Sequence, residues 1–447
     1  MPPDTMCKTI RQYSQDPIPQ SDMQKLLEIA KDYRTVKNYV YARYGGISSL
    51  MKLYPGYTVQ NEMAKEKLRS DLGMPSVYFY LAVFEALGDI RSQWTQVKEK
   101  VQKAVGSNEN FTPKDVHYLR FVLKISNCFA AILNHMPVGL PEEYQKRYEE
   151  LALETDIHRL NQYLCRQVRR HLKKLHTDKA DGFSIAERAY RYKEHGIYIS
   201  TKESRKRVFV PLTDNNRYTR QLTVKLYPER NALELLVPID IHIKRHPDYQ
   251  NEVGISFGMF TMLTTDEAHT YGEQLGEYML QRTEWIQAEN QSYQRNKKDN
   301  PGRKRYTEQK RKLDERLHAY INQELNRFLW EEKPQAVYLP KLPANSPRGK
   351  VKKYNQMAGL WQRGYIRRRL LQKCREQSIE AMEVFGKDIS RECSHCESIG
   401  DKKETDFHCP VCGLVLDHKV NAARNARKRG QAADSVLEDH KNGTINK

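Results

Sequence analysis

Four cysteines arranged as two pairs are the residues whose types and spacing most directly indicate chemistry in this chain. Cys393 and Cys396 form one Cys-x-x-Cys pair, Cys409 and Cys412 form a second, and twelve residues separate the two pairs. Each pair can turn two thiolates toward one metal ion, and four sulfurs complete the tetrahedron that Zn²⁺ prefers. Because four sulfurs leave no position for water, the spacing predicts a structural zinc ion in a ribbon.

A basic segment precedes these cysteines. Residues 348–375 contain ten basic residues and no acidic one, and residues 303–316 form a second basic stretch. A helix that is merely solvated usually mixes both signs, so an all-positive segment with interleaved aromatic residues favours binding to a phosphate backbone. Ile366, Leu370 and Cys374 fall four apart and predict the buried stripe of a helix. The predicted nucleic-acid contacts are Arg303, Lys304, Arg305, Lys310, Arg311, Lys350, Lys352, Lys353, Trp361, Arg363, Arg367, Arg368, Arg369 and Lys373.

The composition agrees with a polyanionic partner. The chain has 447 residues and a formal net charge of +19, from 75 basic and 56 acidic residues. Such a charge is typical of proteins that bind nucleic acid or an anionic membrane. The mean hydropathy is −0.81, and no apolar run approaches the ~18 residues of a spanning helix. The first residues, MPPDTMCKTIRQ, contain no apolar signal core. We therefore expect a cytoplasmic protein with no membrane partner and with its scattered cysteines reduced.

The elements that must position these residues change in character along the chain. Residues 7–19 predict a strand, and residues 21–175 predict helices, including helices around 76–105, 113–135 and 142–175. Residues 188–246 predict an antiparallel β unit, which could close into a barrel with the first strand. The basic residues on its polar faces are explained equally well by a solvated face and by an RNA-binding face: Arg205, Lys206, Arg207, Arg217, Arg220 and Lys225.

The second half of the chain has an α/β pattern. Strands are predicted at 252–257 and 260–265, a long helical stretch at 272–332, a strand at 335–342, a basic helix at 355–376 and a strand at 381–385. The last helix follows the cysteines and begins with the residues HKVNAARNARKRG.

Several of these segments together resemble a known family. VGISFG, TMLTTD, the stretch ending in QAVYLPKL, WQRGYIRRRLLQKC, CSHC and CPVCGLVLDHKVNAARN occur in that order. They resemble the RuvC-type domain of TnpB transposon-associated RNA-guided nucleases and of compact type V CRISPR effectors. The resemblance covers about residues 250–430, and the zinc ribbon followed by NAA-x-N is its most specific part.

The resemblance implies a multidomain α+β fold, in which a helical recognition insert within a β-barrel wedge domain precedes an RNase H-like (RuvC) α/β domain with an inserted four-cysteine zinc ribbon. It divides the chain into a first wedge strand (1–20), a helical recognition domain (21–180), the rest of the wedge barrel (181–249), a RuvC-like domain with a long helical insertion (250–388), a zinc ribbon that binds the target nucleic acid (389–416), and the RuvC C-terminal helix and tail (417–447).

Three positions depart from the family pattern. Nucleases of the family carry one catalytic carboxylate on each of three segments, and the corresponding residues here are Ser256, Pro340 and Lys419. Two divalent ions held about 4 Å apart must activate water and stabilise the leaving oxygen, and such hard cations require anionic oxygen ligands. A hydroxyl, a proline ring and an ammonium group cannot hold them. We therefore expect no catalytic residue, no catalytic Mg²⁺ and no enzyme activity.

The leading hypothesis is a nuclease-dead protein of a prokaryotic cytoplasm that uses a guide RNA to bind matching double-stranded DNA at the nucleoid. Without cleavage the complex would stay bound, where it could block transcription, recruit a transcription factor or sigma factor, or mark a site for a transposition protein. The guide could come from a CRISPR array or a transposon-end RNA. As a further hypothesis, the ammonium group of Lys419 lies beside a backbone phosphate.

Two alternatives remain open. An active nuclease could be rebuilt on relocated carboxylates, for which Asp266, Glu267, Asp388 and Asp417 are the candidates. A guide-free zinc-ribbon protein would bind nucleic acid with a steep salt dependence and without programmable specificity.

Overall fold

The computed structural model describes residues 5–54, 56–293, 302–341, 355, 357–359 and 361–441. The chain divides into two compact units, one formed by Cys7–Ile239 and the other by Asp240–Lys447 together with Met1–Met6. Both units combine helices and strands, so the mixed α/β, multidomain character of the prediction is confirmed. Within the described part, no single helix has the length and apolar character to cross a membrane; one consecutive helix pair, Pro113–Lys124 and Ser126–Leu133, reaches that threshold only jointly and is bent by 101°.

In its described residues, the first unit contains eight α-helices around one apolar core. The longest, Ser76–Gly106, places Phe79, Ile90 and Val101 on its buried side. These positions fit the helical period, so one face of the helix is apolar throughout. The helices are α1 (Gln20–Tyr44), α2 (Tyr57–Lys65), α3 (Leu68–Asp71), α4 (Ser76–Gly106), α5 (Pro113–Lys124), α6 (Ser126–Leu133), α7 (Glu142–Leu153) and α8 (Ile157–His171).

The sequence predicted two long helices in this unit that the structure divides into two shorter helices each. The helix expected at 113–135 breaks at Ile125, whose extended backbone turns the chain between α5 and α6. The helix expected at 142–175 breaks before Asp156, whose side chain accepts a hydrogen bond from the Arg159 amide and caps α8. Apolar periodicity continues through both breaks, so the sequence pattern did not reveal them.

Seven strands among the described residues complete the first unit and form two sheets. One sheet has the order β1-β7-β6-β2 and the other the order β3-β4-β5. An isolated bridge between Ser14 and Leu212 connects them. Among the described residues no ladder joins β2 to β3, so closure into a barrel stays a prediction. The strands are β1 (Thr5–Tyr13), β2 (Gly182–Ile185), β3 (Tyr190–Lys193), β4 (Gly196–Ser200), β5 (Arg207–Pro211), β6 (Leu222–Tyr227) and β7 (Ala232–His242).

The second unit is built on a five-stranded sheet of order β10-β9-β8-β11-β12. The strands β8 (Asn251–Phe257), β11 (Pro334–Pro340) and β12 (Glu380–Val384) are parallel, and β9 (Leu263–Thr265) and β10 (Thr270–Tyr271) continue the sheet antiparallel. The helices α9 (Leu275–Tyr293), α10 (Gly302–Glu332) and α11 (Arg363–Glu376) follow the strands in the order that the sequence predicts.

The two faces of β8 contact different parts of the unit. Val253 and Ile255 face a core that includes Leu325 of α10 and Leu370 of α11. Gly254 faces the last helix, α12 (His418–Lys441): a methyl group built on it would lie 2.1 Å from the Ala423 carbonyl oxygen. Side chains alternate along a strand, so Ser256 and Gly258 also face α12.

A small ribbon lies between β12 and α12. Its antiparallel strands are β13 (Asp401–Lys403), β14 (Asp406–His408) and β15 (Val415–Asp417). Phe407 is buried between the cysteines and forms the apolar centre of the ribbon with Cys393 and Cys409.

Candidate metal centre and nucleic-acid interface

The four cysteines predicted as metal ligands come together at one end of the ribbon. Their Sγ atoms all lie within 4.8 Å of one another. The Sγ atoms of Cys393 and Cys412 are 3.6 Å apart, and those of Cys396 and Cys409 are 3.4 Å apart. A tetrahedral zinc site with Zn–S bonds of about 2.3 Å requires S···S separations of roughly 3.8 Å. The residues present therefore fit Zn²⁺, which would cross-link the two cysteine pairs and supply no reactive ligand position.

The surroundings of the thiols favour metal binding. Hydrogen bonds from Ser398 lower the pKa of the Cys396 thiol to about 6. At Cys412 the Leu414 amide lowers the pKa, but desolvation and hydrogen bonds with the other three cysteines raise it overall, as is expected when four thiols share one place without a cation. The backbone amide of Cys412 points at the Sγ of Cys409 across 3.5 Å, and Gly413 has a φ of +72°, as the predicted tight turn requires. Thiolates are the metal-binding form of cysteine. The hydrogen bonds to the Cys396 and Cys409 sulfurs therefore favour the state in which these residues can bind a metal ion.

Two asparagines of the NAA-x-N motif attach the ribbon to α12. Asn421 and Asn425 are buried and lie four residues apart on one face of the helix. Both side-chain amides donate to the carbonyl oxygen of Glu392 at 2.7 Å, directly before the first cysteine. The Asn421 Oδ1 accepts from the Ser394 amide at 3.0 Å. The two asparagines of the motif therefore hold the backbone around the first cysteine pair against α12.

The structure brings Ser256, Pro340 and Lys419 to one end of the sheet. Tyr338 pairs with Gly254 in the parallel strands β11 and β8. Two residues further along both strands, Pro340 stands level with Ser256 and on the same face. Lys419 approaches that face from the first turn of α12, because a methyl group built on Gly258 would lie 3.4 Å from its Nζ. These three residues define what we call the sheet-end centre.

The sheet-end centre contains unpaired polar groups. Ser256 is 5 % exposed, and its Oγ has no hydrogen-bond partner. In the described part of the chain, no carboxylate lies within ion-pair distance of the Lys419 Nζ. Lys402 of β13 feels the charges of both Asp417 and Lys419: burial lowers its pKa, the charge of Asp417 raises it, and the charge of Lys419 lowers it to a smaller extent.

Two of the four carboxylates that could rebuild a nuclease are engaged in other contacts, and the other two are exposed. Asp266 is buried, accepts a hydrogen bond from the Gly254 amide at 2.9 Å and forms an ion pair with Arg427 at 2.8 Å. Asp417 accepts from the Lys419 and Val420 amides and caps α12. Glu267 is exposed, and Asp388 lies in an exposed turn.

Within the described residues, the four cysteines form the only group of three or more histidine, cysteine, aspartate or glutamate side chains that gathers its ligand atoms around one point.

The basic segment is only partly a free basic surface. Arg368 and Arg305 are exposed, and Arg363 lies over the Trp361 ring. Lys373 is 7 % exposed, and its ammonium group donates to Asn326. The sequence predicted this lysine on the solvent-exposed face of the helix, but it is buried.

Other predicted contacts are engaged with neighbouring side chains. Arg367 is bound by Glu383, Arg369 by Asn322 and Gln372, and Arg311 by Glu308 and Glu315. Lys310 is half-buried. For Arg303 and Lys304 only the helical backbone is described, and Lys350, Lys352 and Lys353 lie outside the described residues. Ile366, Leu370 and Cys374 are fully buried, which confirms the predicted stripe.

Comparison with known proteins identifies the C-terminal segment. Residues 364–426, which include α11, β12, the ribbon and the start of α12, match the model of the family described as Cas12f1-like, TNB domain. The resemblance that the sequence predicts, to the TnpB and compact type V effector family, is thereby confirmed.

Two solved structures are also similar to this chain. One is a cryo-EM structure of a Cas12f1–sgRNA–target DNA complex, with 15 % identity, covering 95 % of this chain and 100 % of that chain at a TM-score of 0.31. The other is a CRISPR–Cas12f ternary complex, with 14 % identity, covering 94 % of this chain and 98 % of that chain at a TM-score of 0.32. No curated protein matches the chain.

Proposed function

We propose that this chain, whose residues 364–426 match the Cas12f1-like TNB family, is an RNA-guided DNA-binding protein that does not cut its target. The proposal depends on a contrast between two sites of the second unit, the zinc ribbon and the sheet-end centre. The zinc thiols of the matched segment are intact, whereas the sheet-end centre, where the resemblance expects three carboxylates, holds Ser256, Pro340 and Lys419.

The strand order supports an RNase H-like assignment for the second unit. Three antiparallel strands lead from the edge to the centre of the sheet, and two further strands run parallel to the central one. In open α/β sheets, ligands bind at the carboxyl ends of the parallel strands. The sheet-end centre occupies that place, which is where a nuclease of this class would hold its metal ions.

Electrostatics argue against a two-metal site at this end of the sheet. Two divalent cations need several anionic oxygens, whereas Lys419 adds a positive charge, Asp266 is neutralised by Arg427 and Asp417 is engaged by the Lys419 and Val420 amides. Repulsion from the ammonium group would raise the free energy of any bound Mg²⁺. These charges support the leading hypothesis of a nuclease-dead protein over the alternative of a nuclease rebuilt on relocated carboxylates.

The expected mechanism divides recognition between RNA and protein. The guide RNA would pair with one DNA strand, while the protein would hold the heteroduplex by its backbone and read a short adjacent motif. The basic surface of α10 and α11 and the zinc ribbon would supply the backbone contacts. A bound, uncut target would then block transcription or present a partner protein to the promoter.

The first test is to sequence the RNA that co-purifies with the protein from its native host. We expect one dominant species with a constant scaffold and a short segment that matches host or plasmid DNA. Heterogeneous RNA would contradict guided binding and would favour a guide-free zinc-ribbon protein.

The second test uses that RNA-loaded protein with a matched duplex and with a duplex of scrambled sequence, each in the presence of Mg²⁺. We expect tight binding to the matched duplex alone and no cleavage of either strand. Cleavage that depends on Mg²⁺ would contradict the nuclease-dead assignment and would favour relocated carboxylates.

A further inference from the structure

A cavity of about 370 Å³ lies at the other end of the second unit's sheet from the sheet-end centre. It is formed at the amino ends of β8 and β11 and at the carboxyl end of α11, and its volume is typical of a ligand site. Because β8 has seven residues, a strand rise of about 3.3 Å per residue separates the two ends of the sheet by roughly 20 Å. We call this cavity the amino-end pocket. Its lining includes His246, Tyr249, Gln250, Gln335, Gln377 and Ile379.

One part of the amino-end pocket is aromatic and apolar. The rings of His246 and Tyr249 are stacked, with centroids 4.3 Å apart and an interplanar angle of 16°. The buried side chains of Pro334 and Ile379 also line the cavity. The Nε2 atom of His246 is buried and has no hydrogen-bond partner. Burying a polar atom without a partner costs free energy, so this nitrogen indicates a ligand that supplies one.

Three glutamine side chains supply the polar part of the lining. Within the described part of the chain, no hydrogen bond engages the side-chain amide of Gln250, Gln335 or Gln377. An amide presents one acceptor and one donor side by side. This arrangement can form two hydrogen bonds at once with the edge of a nucleobase, so the lining has the chemistry of a base-binding site.

A bulge in β11 distinguishes Gln335 from the other two glutamines. Pro334 of β11 pairs with Asn251 of β8. The next pair joins Ala336 to Glu252, so Gln335 has no residue opposite it. Bulges are rare between parallel strands, and they often re-aim a side chain beside a functional site. The Gln335 amide is therefore exposed at the cavity on a strand, which holds a binding group more precisely than a loop does.

We propose that the amino-end pocket binds the base of one unpaired adenine in an RNA strand, recognised by the Gln335 amide. The exocyclic amino group and N7 of adenine are a donor and an acceptor side by side, the pattern that a glutamine amide bonds at both atoms. The second hydrogen of that amino group is donated to Nε2 of His246, which thereby gains the partner that it lacks. The stacked rings of His246 and Tyr249 offer the base an aromatic surface, as in other sites for unstacked bases.

RNA is the source of the base because of where unpaired bases occur. The inference rests on the proposed function for the presence of a bound RNA. A structured RNA exposes unpaired bases in loops and bulges, whereas the target DNA strand is paired with the guide. Arg245 lines the cavity, and the Lys244 amide donates to the Glu376 carbonyl oxygen at 3.0 Å, next to Gln377. These two basic residues supply positive charge for the adjoining phosphates. Reading one unpaired base would let the protein select its own RNA among others of similar shape.

The test removes atoms on both sides of the proposed contact. The RNA that co-purifies with the full chain is transcribed with 7-deazaadenosine, which has carbon in place of N7, at a few random adenines. Copies that bind the protein are separated and mapped. We expect one unpaired adenine at which the substitution weakens binding about two- to tenfold, as for one hydrogen bond. Gln335→Ala should weaken binding of the unsubstituted RNA about 5- to 150-fold, as for one bidentate contact, and the interference at this adenine should disappear.

Two further variants separate recognition from folding. Gln323→Ala is the matched control, because Gln323 is an exposed glutamine of α10 that does not line the cavity. It should leave both the affinity and the interference unchanged. His246→Phe keeps an aromatic ring and removes the nitrogen acceptor. It should weaken RNA binding about two- to tenfold and keep the interference at N7, because the Gln335 contact persists.

The contrary outcomes are distinct. Interference that is unchanged in Gln335→Ala overturns the proposal, as does an equal loss of affinity in Gln323→Ala. Saturation-transfer NMR with adenosine monophosphate and RNA-free protein identifies a different occupant. Binding of this nucleotide that Gln335→Ala abolishes, without interference at any adenine of the RNA, overturns the RNA assignment in favour of a free nucleotide. Matched and scrambled DNA duplexes, measured with the same preparations, report on the proposed function separately, since guided DNA binding can fail or succeed whatever the interference shows.

Discussion

The zinc ribbon and the sheet-end centre share one helix and differ in the side chains that they gather: four thiols in the ribbon, and Ser256, Pro340 and Lys419 at the sheet end. α12 fixes the ribbon through Asn421 and Asn425 and covers the sheet end through Lys419. The ribbon carries a complete ligand set, because its small apolar core cannot stabilise it without the metal. The sheet does not need catalytic carboxylates to fold, since carboxylates crowded together without metal ions repel one another. A fold can therefore lose such residues while its scaffold persists.

The largest expected effect tests the ribbon half of this comparison. Cys409→Ser replaces a buried thiol of the metal cluster and should abolish the zinc that co-purifies. Structural zinc contributes on the order of 10 kcal/mol to the folding of such small modules, so amide protection in the ribbon should be lost. Cys7→Ser, at an exposed cysteine outside the cluster, is the control and should keep both. Retention of zinc and amide protection by Cys409→Ser would contradict the tetrathiolate assignment.

The second prediction concerns the contact of α12 with the sheet. Gly254→Ala places a methyl group 2.1 Å from the Ala423 carbonyl oxygen, which neither backbone can accommodate without moving. Overpacking of this kind costs about 1–3 kcal/mol, and a denaturant titration would measure it. In Gly364→Ala, nothing lies within 4 Å of the added methyl group, and the helix propensity of alanine should leave the stability unchanged or raise it. Equal stability of the two variants would show that α12 does not pack on β8 as described.

The difference between the two regions also explains what the sequence could reveal. The ribbon ligands lie within 20 positions of one another, so spacing alone predicted their cluster. The convergence of Ser256 and Lys419 depends on strand register and helix docking, and only the resemblance to a family indicated it.

Contacts distant in sequence could not be predicted from spacing. Asp266 was a reasonable substitute ligand until the structure paired it with Arg427, 161 positions later. The effect of the Lys419 and Asp417 charges on Lys402 of the ribbon was not predicted either, because it depends on how the ribbon packs beside α12. The burial of Lys373 could not be predicted by counting charges along α11, because it depends on how α11 packs against α10, where Lys373 donates to Asn326.

The third prediction concerns how the stabilising effect of the Arg367–Glu383 ion pair on β12 depends on pH. Arg367 binds Glu383 of β12 and lowers the pKa of its carboxyl group, against the smaller effect of burial. A carboxyl group with a lowered pKa in the folded state stabilises the fold above its unfolded pKa, and that contribution disappears as the pH falls through the folded pKa. Because both side chains are partly exposed, Glu383→Gln should cost only about 0.5–1 kcal/mol at pH 7.

The cost of Glu383→Gln should vanish near pH 3, below the ordinary glutamate range. The measurement is the free energy of unfolding of wild type and variant across this pH range. Glu380→Gln, at an exposed position of the same strand, should show no such dependence. A cost that persists undiminished at low pH would assign it to packing and not to the ion pair.

The smallest expected effect is the sharpest test of the sheet-end half. Ser256→Ala removes a buried hydroxyl that has no partner, so the free energy of unfolding should stay the same or rise by up to about 1 kcal/mol. Ser184→Ala is the same substitution at a similarly buried position, where the hydroxyl hydrogen-bonds Glu85 at 3.2 Å, and it should destabilise. A loss in Ser256→Ala as large as in Ser184→Ala would show that the hydroxyl is satisfied within the fold. In that case the serine would belong to the scaffold, as the ribbon cysteines do, and the sheet end would be maintained for stability instead of for a ligand.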